Sequence, residues 1–259
     1  MIPLLLLIPV VAALVAFISN MAGIGGGALL VLFFLYVMGL NSVSGSGLSL
    51  ITIATSSIIG SYSNIRSGFV NFRLFRILLL TGLSGVFLGS LLSFAVPTEI
   101  FKGVFGFIPL VIGSFSLFFA VAQRKAKIHA VPQKRFGYDI WSMGVAAGII
   151  SGFTGMGIGG ITGTYMTAIR KMHPKTVFST IILAMVITSL FGGLLHLGPV
   201  SFSGNTLIYI PFLIIGASLG AFIGARVSGV IKSGNLRLFQ SLVIISTGIL
   251  AILIYFAGL

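Results

Sequence analysis

Two short glycine clusters are the residues of this chain whose type and spacing could do chemistry. The first reads Ala22-Gly23-Ile24-Gly25-Gly26-Gly27 and the second Thr154-Gly155-Met156-Gly157-Ile158-Gly159-Gly160. Each interrupts an otherwise apolar stretch. A helix broken inside lipid frees backbone N–H and C=O groups that hydrocarbon cannot satisfy, so the break must line a cavity, expected here to be polar. The helix that begins after each cluster points unpaired N–H groups and a partial positive charge at that cavity. The chemistry this offers is reversible anion binding, worth about 0.3–1 kcal/mol per helix terminus and up to about 2 where partly buried. Gly23, Gly25, Gly26 and Gly27 from one break and Gly155, Gly157, Gly159 and Gly160 from the other supply the backbone. The flanking Ser19, Asn20, Ser151 and Thr154 complete the candidate substrate site. The competing reading is that glycine here only permits a tight bend or close helix packing. Ser56-Ser57 and Thr188-Ser189 are second-rank ligands, since their hydroxyls can instead bond back to their own helix carbonyls.

Other chemistry is excluded by what is missing. Two acids, Glu99 and Asp139, stand against 15 Lys and Arg, and neither falls inside an apolar run. A bound cation would lack a counter-charge, and the usual intramembrane proton relay is absent. There is no HExxH motif, no buried acid–base pair, no Gly-Lys-Ser/Thr after either glycine cluster and no cysteine. These absences argue against a hydrolase, a nucleotide loop, a thiolate metal site or any bound cofactor. Asp139 reads as a helix cap. His129 and His173 lie in basic loops, and His196, matched by Asn64 in the repeat described next, sits at the end of its helix with an interfacial role. Without a carboxylate to carry a proton, outward movement of a monovalent anion can be electrogenic. An inside-negative potential of 100 mV favours it by about 2.3 kcal/mol, roughly fifty-fold. Proton coupling through a histidine or through the substrate is the alternative.

The elements that position these clusters are membrane helices. Of 259 residues, 57% are apolar and 7% charged, the mean hydropathy is +1.21, and apolar runs long enough to cross a bilayer recur from end to end. The chain is read as an all-α, multi-pass membrane protein, solvated mostly by lipid. Its formal charge of +13 belongs to loops and helix ends, as expected of cytoplasmic loops, and does not call for a nucleic-acid partner.

An internal repeat organises the chain. At an offset of 132, Ile18, Ser19 and Gly23, Gly25, Gly27 fall over Ile150, Ser151 and Gly155, Gly157, Gly159, and Ser57 and Gly60 fall over Ser189 and Gly192. At an offset of 135, Gly85-Val86-Phe87-Leu88-Gly89 falls over Gly220-Ala221-Phe222-Ile223-Gly224, and Gly113 over Gly248. The organisation is a first repeat, 1–122, a basic cytoplasmic linker, 123–138, and a second repeat, 139–259. Each repeat holds one broken segment, Ile2–Gly39 or Asp139–Ile169, followed by three unbroken runs. After its break the first has 12 residues and the second about 9, which at 1.5 Å per residue is about 18 Å or less, half a bilayer. Gly85/Gly89 and Gly216/Gly220/Gly224 have the spacing of close helix contact.

Charge decides the topology. If all eight segments crossed, the basic residues would divide seven against eight; if both broken segments are re-entrant, fourteen share one face and Lys102 stands alone opposite. That places Gln123–Tyr138 and Arg170–Lys175 in the cytoplasm and Leu197–Gly204 outside. Each repeat then crosses an odd number of times, so the two are inverted. Inverted repeats with broken helices are a common secondary-transporter design, with the substrate near the midplane where the repeats meet. A small anion is the substrate these residues favour. The reading from another class is a non-transporting membrane anchor or assembly subunit, and the oligomeric state is not readable.

The sequence resembles the sulfite exporter TauE/SafE family, also called the 4-toluene sulfonate uptake permease family. The likeness covers nearly the whole chain and rests on the duplicated plan, on Ala22–Gly27 and Thr154–Gly160, and on Gly198-Pro199-Val200 after His196. It departs in lacking the proline that often follows the family's glycine run, and in Ile158 interrupting the second triple glycine. The resemblance implies an inner-membrane permease for sulfur-containing or organic anions such as sulfite, sulfonates or sulfoacetate.

Overall fold

A computed structural model describes residues 2–23, 25–122, 136–198, 206–230 and 233–257, so most of the basic linker and of the Leu197–Gly204 loop lies outside the described residues. Every regular element among them is helical. The first repeat holds α1 (Ile2–Ala22), α2 (Gly27–Leu32) running on into a π-turn (Phe33–Val37), α3 (Ser42–Arg66), α4 (Phe72–Ala95), α5 (Thr98–Phe105) and α6 (Phe107–Ala122). The second holds α7 (Tyr138–Thr154), α8 (Gly159–Ala168), α9 (Pro174–His196), α10 (Ile210–Val230) after a short 3-10 turn, and α11 (Ser233–Phe256). Six helical stretches are long and apolar enough to cross a membrane, with α5 and α6 counted as one.

Local signals set the boundaries. Asn41 caps α3 by accepting from the Ser44 N–H at 2.8 Å, and Asn71 caps α4 by accepting from Arg73 and Leu74. Pro174 opens α9, where its missing N–H is no loss. Asp139 is not the cap of α7, contrary to its sequence reading: Gly137 holds that position. Instead Asp139 Oδ2 accepts from the Tyr165 hydroxyl at 2.7 Å and lies 3.3 Å from an Arg170 guanidinium nitrogen. Tyr165 is on α8 and Arg170 just beyond it. The α7–α8 hairpin therefore ends where it began, and its 10-residue return helix is too short to cross. In the first repeat the return helix ends near Lys102, whose Nζ is 5.5 Å from the Tyr36 ring.

Packing follows the repeat. Equivalent helices of the two halves run antiparallel. In α3 and α9, Gly60 packs on Ile182 and, reciprocally, Gly192 on Leu50; in α6 and α11, Gly113 packs on Ile245 and Gly248 on Leu110. The small-residue stripes make the remaining close contacts. Methyl groups at Gly85 and Gly89 of α4 would strike the carbonyls of Val145 and Ile149, and at Gly220 and Gly224 of α10 those of Ala13 and Phe17, positions the 132 offset relates. Thus α7 lies alongside α4 and α1 alongside α10, each pair parallel, an arrangement consistent with inverted repeats. Helices α3 and α9 form the centre, while α4, α6, α10 and α11 carry broad exposed apolar faces toward lipid.

Candidate functional site

The two glycine breaks meet. In each, the chain leaves a long helix by a left-handed turn: Gly23, Gly25 and Gly26 have φ of +67°, +93° and +63°, and Gly155 and Gly157 of +74° and +80°. L-residues rarely hold such angles, which is why glycine is needed there. The turns are built alike, with the Gly23 N–H donating to the Ser19 carbonyl at 2.7 Å and the Gly155 N–H to the Ser151 carbonyl at 2.8 Å. A methyl group on Gly25 would lie 3.0 Å from the Met156 carbonyl oxygen, and one on Gly27 2.8 Å from the Met156 Cα. Ser49 of α3 bridges the pair, its hydroxyl reaching the Gly155 carbonyl at 2.8 Å and the Gly27 carbonyl at 3.2 Å.

A narrow cavity of about 20 Å³ opens beside this junction. Gly26–Leu29, the first turn of α2, lines one side; Gly157, Gly160 and Ile161, the start of α8, line the other. In the first turn of α2 the Leu29 N–H donates to the carbonyl of the capping Gly26 at 3.2 Å, and the N–H groups before it lie ahead of the helical hydrogen-bond ladder. The expectation of polar walls is not met. Ile112 of α6, Ile150 and Met156, and Val243 and Ile244 of α11 supply the side chains, and the one hydroxyl, Thr247, donates to its own Val243 carbonyl at 2.7 Å. Neighbouring helices brought these apolar groups to the junction, a matter of packing that local sequence does not encode.

The flanking polar residues are divided between places. Ser19, Ser151 and Thr154 are buried and line neither described cavity. Thr154 Oγ1 donates to the Ile150 carbonyl at 2.6 Å, and Ser151 Oγ has no partner. Asn20 faces a second cavity, of about 60 Å³, together with Ser63, Asn64 and Ser67 at the end of α3, Lys175, Phe178 and Ser179 on α9, and Ala225. It opens at the basic face. Asn20 Nδ2 donates to the Ala16 carbonyl at 3.1 Å, while Oδ1 rests against Gly60 with no donor. Across this cavity the Ser179 hydroxyl donates to Asn64 Oδ1 at 3.1 Å. Gly23 is buried against Phe178, and Gly159 opens α8 inside the protein. Of the second-rank pairs, Ser56 bonds back to Ile53 at 2.9 Å and Thr188 to Ala184 at 3.1 Å. Ser57 and Ser189 are buried beside them, and Ser189 Oγ has no partner.

Residue-by-residue reading missed Ser49, whose side chain joins both breaks. A signal for it existed. Helix α3 carries buried Ser42, Ser44, Ser46, Ser49, Thr52, Ser56, Ser57 and Ser61, an unusual load of hydroxyls for a central membrane helix. No group of three or more metal-ligating side chains occurs among the described residues.

The sequence profile of a family described as sulfite exporter TauE/SafE matches residues 8–251. No curated protein and no solved structure matches the chain.

Proposed function

The chain belongs to the sulfite exporter TauE/SafE family, a family of membrane transporters rather than enzymes, and from that membership we propose that it moves small sulfur-containing or organic anions such as sulfite or sulfonates across the cytoplasmic membrane by alternating access. One observation carries the reading: the N-terminal turns of α2 and α8, one from each repeat, border the same cavity. Two converging positive helix ends favour an anion over a cation or a neutral solute. Their N–H groups bind without a charged side chain, which suits a site that must release its ligand.

The two cavities divide the work. The basic-face cavity, with Lys175 at its wall, concentrates anions electrostatically. The inner cavity, walled by Ile112, Ile150, Ile161, Val243 and Ile244 and of about 20 Å³ in this conformation, must widen to take the anion, and its aliphatic walls then suit an apolar substituent beside the anionic group. The unpartnered Asn20 Oδ1 is an acceptor, so it meets water or a protonated oxyanion on the way. Symmetry between the repeats supplies the second access route, since exchanging the conformations of two inverted halves exchanges the face to which the site is open.

A liposome flux screen of purified protein with sulfite, thiosulfate, sulfoacetate and aromatic sulfonates tests this. Saturable flux of at least one, blocked by Gly26→Val, is expected. Complete absence of substrate-dependent flux from well-folded protein would leave the anchor or assembly reading. An imposed potential separates electrogenic from proton-coupled movement, and flux driven by a pH gradient alone would favour the latter.

A further inference from the structure

The basic-face cavity has a counterpart in the other repeat that is shut. By the repeat offsets, Asn64 corresponds to His196, Phe178 to Ser46, Ser179 to Gly47, Ile182 to Leu50 and Ala225 to Ser90. The counterparts also lie together. A methyl group on Gly47 would sit 2.9 Å from the His196 Cβ, matching the Ser179–Asn64 contact; Gly155 packs on Ser46, and Gly152 within 2.9 Å of the Ser90 nitrogen on the same measure. Yet where Asn64, Ser179 and Ala225 border open space, this side is packed. Ser46, Ser90, Ser93 and His196 are at most 1% exposed. The Phe94 ring stands 5.5 Å from the imidazole.

The packing leaves polar atoms stranded. Ser46 Oγ, Ser90 Oγ, Ser93 Oγ and His196 Nε2 are buried with no hydrogen-bond partner. His196 Nδ1 is 2.8 Å from the Gly192 carbonyl, so it carries the proton of that bond and Nε2 faces the interior unpaired. Buried polar groups are ordinarily satisfied, and four orphans in one region call for an explanation. Hydration in another conformation provides one, because the same atoms would then line water.

We propose that Ser46, Ser90, Ser93 and His196 are the walls of a second vestibule, closed in this conformation, which opens at the face opposite the basic loops when the basic-face cavity closes, so that water reaches the acceptor His196 Nε2 and the serine hydroxyls can donate to the departing anion. This rests on the alternating-access reading above and assigns its second route to particular residues.

The chain has no cysteine, so single cysteines test the proposal directly. S46C and S90C, near-isosteric changes, are exposed to a membrane-impermeant maleimide from either face, in intact cells and in inverted vesicles. N64C reports the basic-face cavity. Expected is reaction of N64C from the basic face and of S46C and S90C only from the opposite face. Filling the basic-face cavity with A225W, or with S63W if that protein is lost from the membrane, should slow the S46C and S90C reactions by about 5- to 150-fold, because the indole obstructs closure of that cavity and so overpacks the conformation in which the second vestibule is open. Reaction of S46C and S90C from the basic face, from neither face, or at the same rate in the filled and unfilled backgrounds overturns the proposal. Labelling needs no substrate. Its failure therefore leaves anion transport standing, whereas an absence of flux in liposomes removes the transport reading without altering the labelling result.

Discussion

Two of the cavities among the described residues, of about 20 and 60 Å³, are made in opposite ways. The inner one is bordered by the glycine breaks and walled by aliphatic side chains, so on the proposed reading any contact to an anion there must come from backbone N–H groups. The basic-face one is built from amide, hydroxyl and ammonium side chains. Selectivity carried by backbone is sensitive to the path of the chain and indifferent to which neighbouring hydroxyl is present. Selectivity carried by side chains can be altered one group at a time.

The largest effect should come from the backbone-built site. Gly26→Val places a branched side chain at φ +63° with its Cβ 2.8 Å from Val15; flux should be abolished, and a monodisperse size-exclusion profile would separate loss of the site from loss of the fold. Next is Ser49→Ala, which strips the shared donor from the Gly27 and Gly155 carbonyls. We expect a loss of about 1–3 kcal/mol in stability toward denaturant, since two buried acceptors lose a partner. Preserved stability would mean that the breaks hold each other without it.

The two flanking residues sharpen the contrast. Asn20→Ala should weaken apparent affinity for a protonated oxyanion such as hydrogen sulfite about five-fold, the worth of one accepted hydrogen bond of about 1 kcal/mol, with sulfonate affinity and expression unchanged. Thr154→Ala should leave affinity unchanged and cost about 0.5–1.5 kcal/mol of stability, because its hydroxyl donates to the Ile150 carbonyl of its own helix and accepts from the Met156 N–H of the break. The reverse pattern in a concentration-dependent flux assay would place the anion beside Thr154 instead. The smallest effect is expected at the root of the second hairpin. Arg170→Gln breaks a partly exposed pair with Asp139, worth about 0.2–1 kcal/mol after solvent screening, and should shift thermal stability slightly while sparing transport.

Much of the architecture was legible from the chain alone. Apolar run lengths mark the crossing helices, the offsets of 132 and 135 mark the repeat, and the glycine clusters mark both helix breaks, because each follows from local covalent and solvation rules that need no partner. The uneven placement of basic residues indicated a re-entrant second hairpin, and the Asp139 contacts to Tyr165 and Arg170 close it. The walls of the site were not legible. Ile112, Val243, Ile244 and Thr247 reach the breaks from more than 40 residues away in the chain, and Asn20 was drawn to the basic-face cavity by packing against Gly60. Local sequence determines where the backbone can break and return, since glycine conformation and lipid exclusion act within a few residues. What fills the space around the break depends on which distant helices cross there, and that is decided by tertiary packing alone.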